Sequence, residues 1–125
     1  MLQLDFSTNL YGKLFNTIFG DIRLHSHAFT VGTESEINYK SQFMGTAVIE
    51  AVRIFPFGRI SDAVAYLNCG HPAPYQAALL NRFYNEGKML AADTMLSHLV
   101  LRYTTYNMAA FDILLEDHYR QIRNQ

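Results

Sequence analysis

Residues 88–103, Lys88-Met-Leu-Ala-Ala-Asp-Thr-Met-Leu-Ser-His-Leu-Val-Leu-Arg-Tyr103, decide how the chain is read. Leu96, Leu99, Val100, Leu101 and Tyr103 leave this stretch without a wide polar face. A helix that is apolar nearly all round belongs in the centre of a bundle. Residues 88–103 are therefore expected to form the central buried helix. Their neighbours follow suit. Asn107 to Arg123 shows an apolar stripe of Phe111, Leu114, Leu115, His118, Tyr119 and Ile122, which predicts a terminal helix. Pro72-Ala73-Pro74 opens a helix that Gly87 ends, and Ser61-Asp62 starts a short one that Gly70 ends. Thr46 to Phe55, broken by Pro56 and Gly58, is expected to be another helix.

Upstream of this bundle the period changes. Ile37, Tyr39, Ser41 and Phe43 alternate with Glu36, Asn38, Lys40 and Gln42, the pattern of a half-buried strand. Ile22 to Val31 is its expected partner across a turn at Gly32. Before that, Leu10, Tyr11, Leu14, Phe15, Ile18 and Phe19 recur in pairs every four residues, which predicts a helix from Ser7 to Gly20. The expectation is thus an α+β, predominantly helical fold: an N-terminal helix over 7–20, a β-hairpin ribbon over 22–44, and a bundle of four to five helices over 46–124. All belong to a single domain of 125 residues.

Two segments align at an offset of 29 residues: Arg53-Ile54-Phe55 through Gly58-Arg59-Ile60, and Arg82-Phe83-Tyr84 through Gly87-Lys88-Met89. Each copy resembles the helical-hairpin repeats of protein-binding solenoids. Two copies fall short of the three such an array needs, so ordinary helical hairpins are expected.

Composition sets the function classes. Half of the residues are hydrophobic and only 17% are charged, which argues against disorder and for more apolar surface than a monomer hides easily. The net charge of −1 lacks the electrostatic footprint of a nucleic-acid binder. Cys69 is the only cysteine, so no intramolecular disulfide can form and a cytoplasmic setting is expected. Residues 1–5 lack the pattern of a signal peptide, and no apolar run has the length of a membrane span.

No phosphate-binding glycine loop, nucleophile elbow or His-Glu-x-x-His run is present, so the chain is expected not to be an enzyme. The leading expectation is a small intracellular protein-binding module: an adaptor, regulator or inhibitor of a larger complex, in one version encoded by a phage or other mobile element. It would use a Tyr/Arg-rich helical surface (Tyr84, Arg102, Tyr103, Tyr106, Tyr119, Arg120), the ribbon edge, or both. Self-association as a homodimer belongs to the same expectation. The first alternative is a zinc protein. His25 and His27 would share one face of a strand, and Cys69 and His71 would complete a tetrahedral set from a loop. The second is a nucleic-acid accessory protein using Arg102, Arg120 and Arg123. His98 and His118 fall on mostly apolar helix faces, where a buried imidazole would make stability depend on pH at about pH 6.

Overall fold

A computed structural model describes residues 1–124, and of Tyr11 the backbone alone. Most of the stretch 88–103 is strand. Residues Met95–Tyr106 form β5, flanked in the sheet by β4 (Gln42–Pro56) and β2 (Ile18–Leu24). β3 (Glu34–Tyr39) follows β4, and β1 (Leu2–Phe6) closes the order β1-β3-β4-β5-β2. β1 runs parallel to β3, and the other pairs are antiparallel. A 3-10 helix at Leu10–Phe15 lies between β1 and β2. Three α-helices complete the chain: α1 (Asp62–Cys69), α2 (Ala73–Asn85) and α3 (Met108–Arg123).

The fold is α+β around a curled mixed sheet, which corrects the expected bundle of four to five helices. Three of the expected helices are strands in whole or part. Residues 88–103 mislead because β5 is covered on both faces. Leu96, Ser97, Leu99 and Leu101 are fully buried, and His98 and Tyr103 nearly so. A strand buried on both sides loses its alternation and reads like a buried helix. Residues 46–55 mislead for a second reason. β-bulges fall between Thr46 and Ala47 and between Ile49 and Ala51, shifting the inward phase twice within one strand. The β-branched run Val48, Ile49, Val52, Ile54 fits the pleat better than a helix.

The N-terminal helix over 7–20 is replaced by the 3-10 turn and β2. The four-residue recurrence there combines two short elements whose apolar residues meet in one core. The ribbon over 22–44 is also redrawn. β2 pairs with β5 along its whole length, and the hairpin lies between β3 and β4 instead. Its turn is Lys40-Ser41, with φ of 49° and 67°, the positive values a two-residue hairpin turn needs. The solenoid-like repeat dissolves likewise, since Arg53-Ile54-Phe55 lies in β4 and Arg82-Phe83-Tyr84 in α2.

Of the four helices expected after residue 60, three form and that over 88–103 does not. The Ser61 side chain accepts from Val64 N and Gly70 ends α1 in the left-handed conformation; Asn107 caps α3 through Ala110 N. One apolar core lies within the curl, where Leu14, Ile37, Ile49 and Leu101 meet Leu114 of α3. A smaller one lies on the other side, where Ile22 and Leu96 meet Val64 of α1 and Leu80 of α2. Among the described residues no helix is long and apolar enough to cross a membrane.

Candidate functional site

The two edge strands, β1 and β2, leave unpaired backbone, and edge backbone needs partners. The Arg23 guanidinium reaches from β2 to the Asp5 carbonyl of β1, Nη2 to O 2.7 Å. Two backbone groups of the β2 edge are met by polar side chains. Lys13, on the 3-10 turn, donates from Nζ to Gly20 O at 3.0 Å. Asn68, in the last turn of α1, accepts from Ile22 N at 3.2 Å. These edge contacts draw together a cluster whose centre is the Lys13 ammonium, only 1% exposed.

Lys13 Nζ has three acceptors: Gly20 O, Asp21 Oδ1 at 3.2 Å and Asn68 Oδ1 at 2.8 Å. An ammonium carries three protons, so all are used. Asp21 is bound on both oxygens, since Oδ2 accepts from Arg23 Nε at 2.5 Å. Burial pulls the Lys13 pKa below its ordinary value, and the Asp21 carboxylate works against that pull. Asn68 Nδ2 donates to Gln76 Oε1 of α2 at 2.6 Å, and Gln76 is itself 1% exposed.

The cluster forms one wall of a cavity of about 300 Å³ between β1, β2, α1 and α2. Phe6, Phe83 and Tyr84 supply aromatic surface, and Ser7 and Thr8 supply hydroxyls. The Arg23 guanidinium lies 4.8 Å from the Phe6 ring centroid, so that ring is already engaged by a cation. Lys13, Arg23, Asp5 and Asp21 line the cavity, two cations against two carboxylates, so its formal charge is balanced. Burial raises the Tyr84 phenol above its ordinary pKa.

The residues nominated from the sequence are dispersed. His25 and His27 do lie together, ring centroids 5.4 Å apart, in the loop after β2 rather than within a strand. His25 Nδ1 is 2.8 Å from Ser97 Oγ. Cys69 is buried at the end of α1, its thiol pushed up by burial and donating to His71 O at 3.7 Å. The His71 ring stacks 4.2 Å from Tyr75. Among the described residues no three His, Cys, Asp or Glu side chains converge to hold a metal, so the four are not brought together as a set.

The Tyr/Arg group divides too. Tyr103 is buried, its hydroxyl donating to Leu14 O at 3.2 Å, and burial raises its pKa. Tyr106 packs on Phe111, and Arg102 pairs with Glu50 on the exposed side of β5. Tyr119 and Arg120 are exposed on α3, with Arg120 against Glu116 and Asp117; Tyr84 lines the polar cavity instead. Lys13, Asp21, Arg23, Asn68 and Gln76 escaped the sequence reading. One signal was present: Asp21 and Arg23, two residues apart, interrupt an otherwise apolar strand on one side.

No family model matches the chain, and no curated protein matches it. Among solved structures it is similar to protein EF3133 from Enterococcus faecalis V583, of the family DUF984, with a TM-score of 0.66. The match covers 90% of this chain and 81% of that one at 13% sequence identity. At that identity the likeness is one of fold.

Proposed function

We propose that this chain binds a small, polar, uncharged molecule in the cavity between β1, β2, α1 and α2. The observation that carries the reading is the buried Lys13 cluster. Several ionised and amide groups are withdrawn from water at one spot, where apolar residues would stabilise the fold as well or better. Ionisable groups with shifted pKa values in a cleft mark functional sites. At about 300 Å³ the cavity is at the lower end of the range for small-molecule sites. The balanced charge of its lining favours a neutral ligand, and its aromatic wall favours a flat one.

The reading is a binding function, with no reaction assigned. Its test is a ligand-observed NMR screen of neutral polar fragments against the wild type and an Arg23→Ala, Gln76→Ala double variant. Fragments that bind the first and not the second support it. A screen whose hits are indifferent to the double variant removes it.

A second reading keeps self-association, and α3 favours it. Met108, Leu115, Tyr119 and Ile122 are exposed and fall within one stripe, about a quarter to a third of a turn round the helix from buried Leu114. The helix carries acids at Glu116 and Asp117 and bases at Arg120 and Arg123, so two copies packed antiparallel would bring acids toward bases. Sedimentation tests it. A dimer lost in Leu115→Glu supports the reading, and a monomer at all concentrations ends it.

A further inference from the structure

From the chain of hydrogen bonds Lys13–Asn68–Gln76, we propose that Asn68 is a positioning residue that fixes the ligand polarity of the cavity, making it select a carbonyl-type acceptor. This rests on the pocket reading above and names the ligand class that pocket takes.

Amide side chains have a donor end and an acceptor end, and their neighbours decide which way each points. Two donors meet the same atom of Asn68: Lys13 Nζ at 2.8 Å and Ile22 N at 3.2 Å. An ammonium and a backbone N–H can only donate, so that atom must be Oδ1. Nδ2 is then forced toward Gln76, 2.6 Å away, and Gln76 must answer with Oε1. Its own amide nitrogen is left over. Gln76 Nε2 has no hydrogen-bond partner among the described residues. Among the described residues the one fully sealed side-chain polar atom without a partner is His98 Nε2, so Gln76 Nε2 keeps a small accessible area although the residue is only 1% exposed, and Gln76 lines the cavity. The buried cation thus dictates, through two amides, that a donor faces the ligand.

A second donor agrees. Arg23 uses Nε on Asp21 and Nη2 on Asp5 O, leaving Nη1 unengaged among the described residues of the same cavity wall. A neutral molecule offering only N–H groups would set donor against donor at both places. One offering a carbonyl oxygen meets complementary groups.

Two near-isosteric substitutions separate this from a merely structural role for Asn68. In Asn68→Asp, one carboxylate oxygen still accepts from Lys13 and Ile22 N. The other can only accept, so Gln76 must turn its Nε2 toward it and present Oε1 to the cavity. Gln76→Glu reaches the same polarity directly, with one oxygen on Asn68 Nδ2 and the other facing the ligand. Both variants are compared with wild type by NMR titration with two neutral probes: N,N-dimethylacetamide, which only accepts, and pyrrole, whose N–H only donates. Neutral probes remove attraction between net charges from the comparison, and Asn68→Asp sets its added charge beside Lys13 rather than at the Gln76 amide.

Wild type is expected to prefer dimethylacetamide, and both variants to prefer pyrrole, the ratio of affinities changing about ten-fold in each. An unchanged preference in Asn68→Asp overturns the relay, even where Gln76→Glu reverses it. Equal binding of the two probes by wild type overturns the acceptor selectivity while leaving the pocket reading intact. Binding of neither probe by wild type overturns both. Should Asn68→Asp fail to fold, wild type against Gln76→Glu decides: a reversal supports donor presentation by Gln76, and no reversal overturns it.

Discussion

Lys13 and His98 approach Gly20 from two sides and are treated in opposite ways. Lys13 donates to the Gly20 carbonyl and has two further acceptors. His98, on β5, lies against the Cα, and a β-carbon added to Gly20 would be 2.8 Å from its Nε2, an atom with no partner. Both groups have their charged forms disfavoured by burial. Lys13 also has the Asp21 carboxylate in contact, so its charge is held in place. His98 feels Arg53 and Lys13 as like charges with only Asp21 opposing, and it is kept neutral. A buried ionisable group is tolerated in two ways: by supplying every proton with an acceptor, or by giving up the charge. The first way ties together three elements and builds a site. The second leaves an imidazole that titrates at the expense of the fold.

The largest effect is expected on the Lys13 side. Lys13→Met strips the donor from Gly20 O, Asp21 Oδ1 and Asn68 Oδ1 at once, and is expected to lower stability by about 3–5 kcal/mol in urea denaturation. A loss under about 1 kcal/mol would mean that the cluster reorganises around the gap. Next comes Gly20→Ala, whose β-carbon would meet His98 Nε2 and, at 3.3 Å, the Leu67 carbonyl. The expected loss is about 1–3 kcal/mol. It should shrink in a His98→Ala background, because the imidazole is the closer obstacle; a double-mutant cycle without coupling would refute that contact.

The pH response is smaller. The pKa of His98 is lowered from its ordinary 6.5 in the folded state, so the unfolded chain takes up the proton first. The stabilising contribution of the neutral ring is present above 6.5 and is lost as pH falls toward the folded-state pKa. Stability should decline below about pH 6.5, by at most about 1.4 kcal/mol per pH unit for one proton, and His98→Gln should flatten that part of the profile. The smallest effect belongs to an exposed ion pair. Arg102 and Glu50 are each close to half exposed, so Arg102→Ala is expected to change stability by less than about 1 kcal/mol.

The same contrast shows which parts of the molecule the sequence discloses. Helices α1 and α2 were legible because local chemistry marks their ends: Ser61 and Gly70 on one, Pro72 and Pro74 on the other. β3 was legible because one face is more exposed than the other and the alternation survives. β4 and β5 were not, because bulges and burial on both faces erase period two, and their pairing partners lie far away in sequence. His98 was marked as a histidine on an apolar face whose burial would couple stability to pH, which is where it lies, though on a strand rather than a helix. Lys13 left no such mark. Between Gly12 and Leu14 it reads as a residue of a helix's polar side, and the acceptors that bury it come from Gly20, Asp21 and Asn68. The last is 55 positions away, brought to it by the packing of α1 on β2 and the 3-10 turn.

The most direct test of the account is a crystal structure of the chain with the tightest neutral fragment found by screening. Density is expected in the cavity beside Lys13, with an acceptor oxygen of the fragment within hydrogen-bond distance of Gln76 Nε2 and Arg23 Nη1. A fragment seated instead in the neighbouring depression lined by Lys40, Asp117 and His118, with the Lys13 cavity holding water alone, would contradict it.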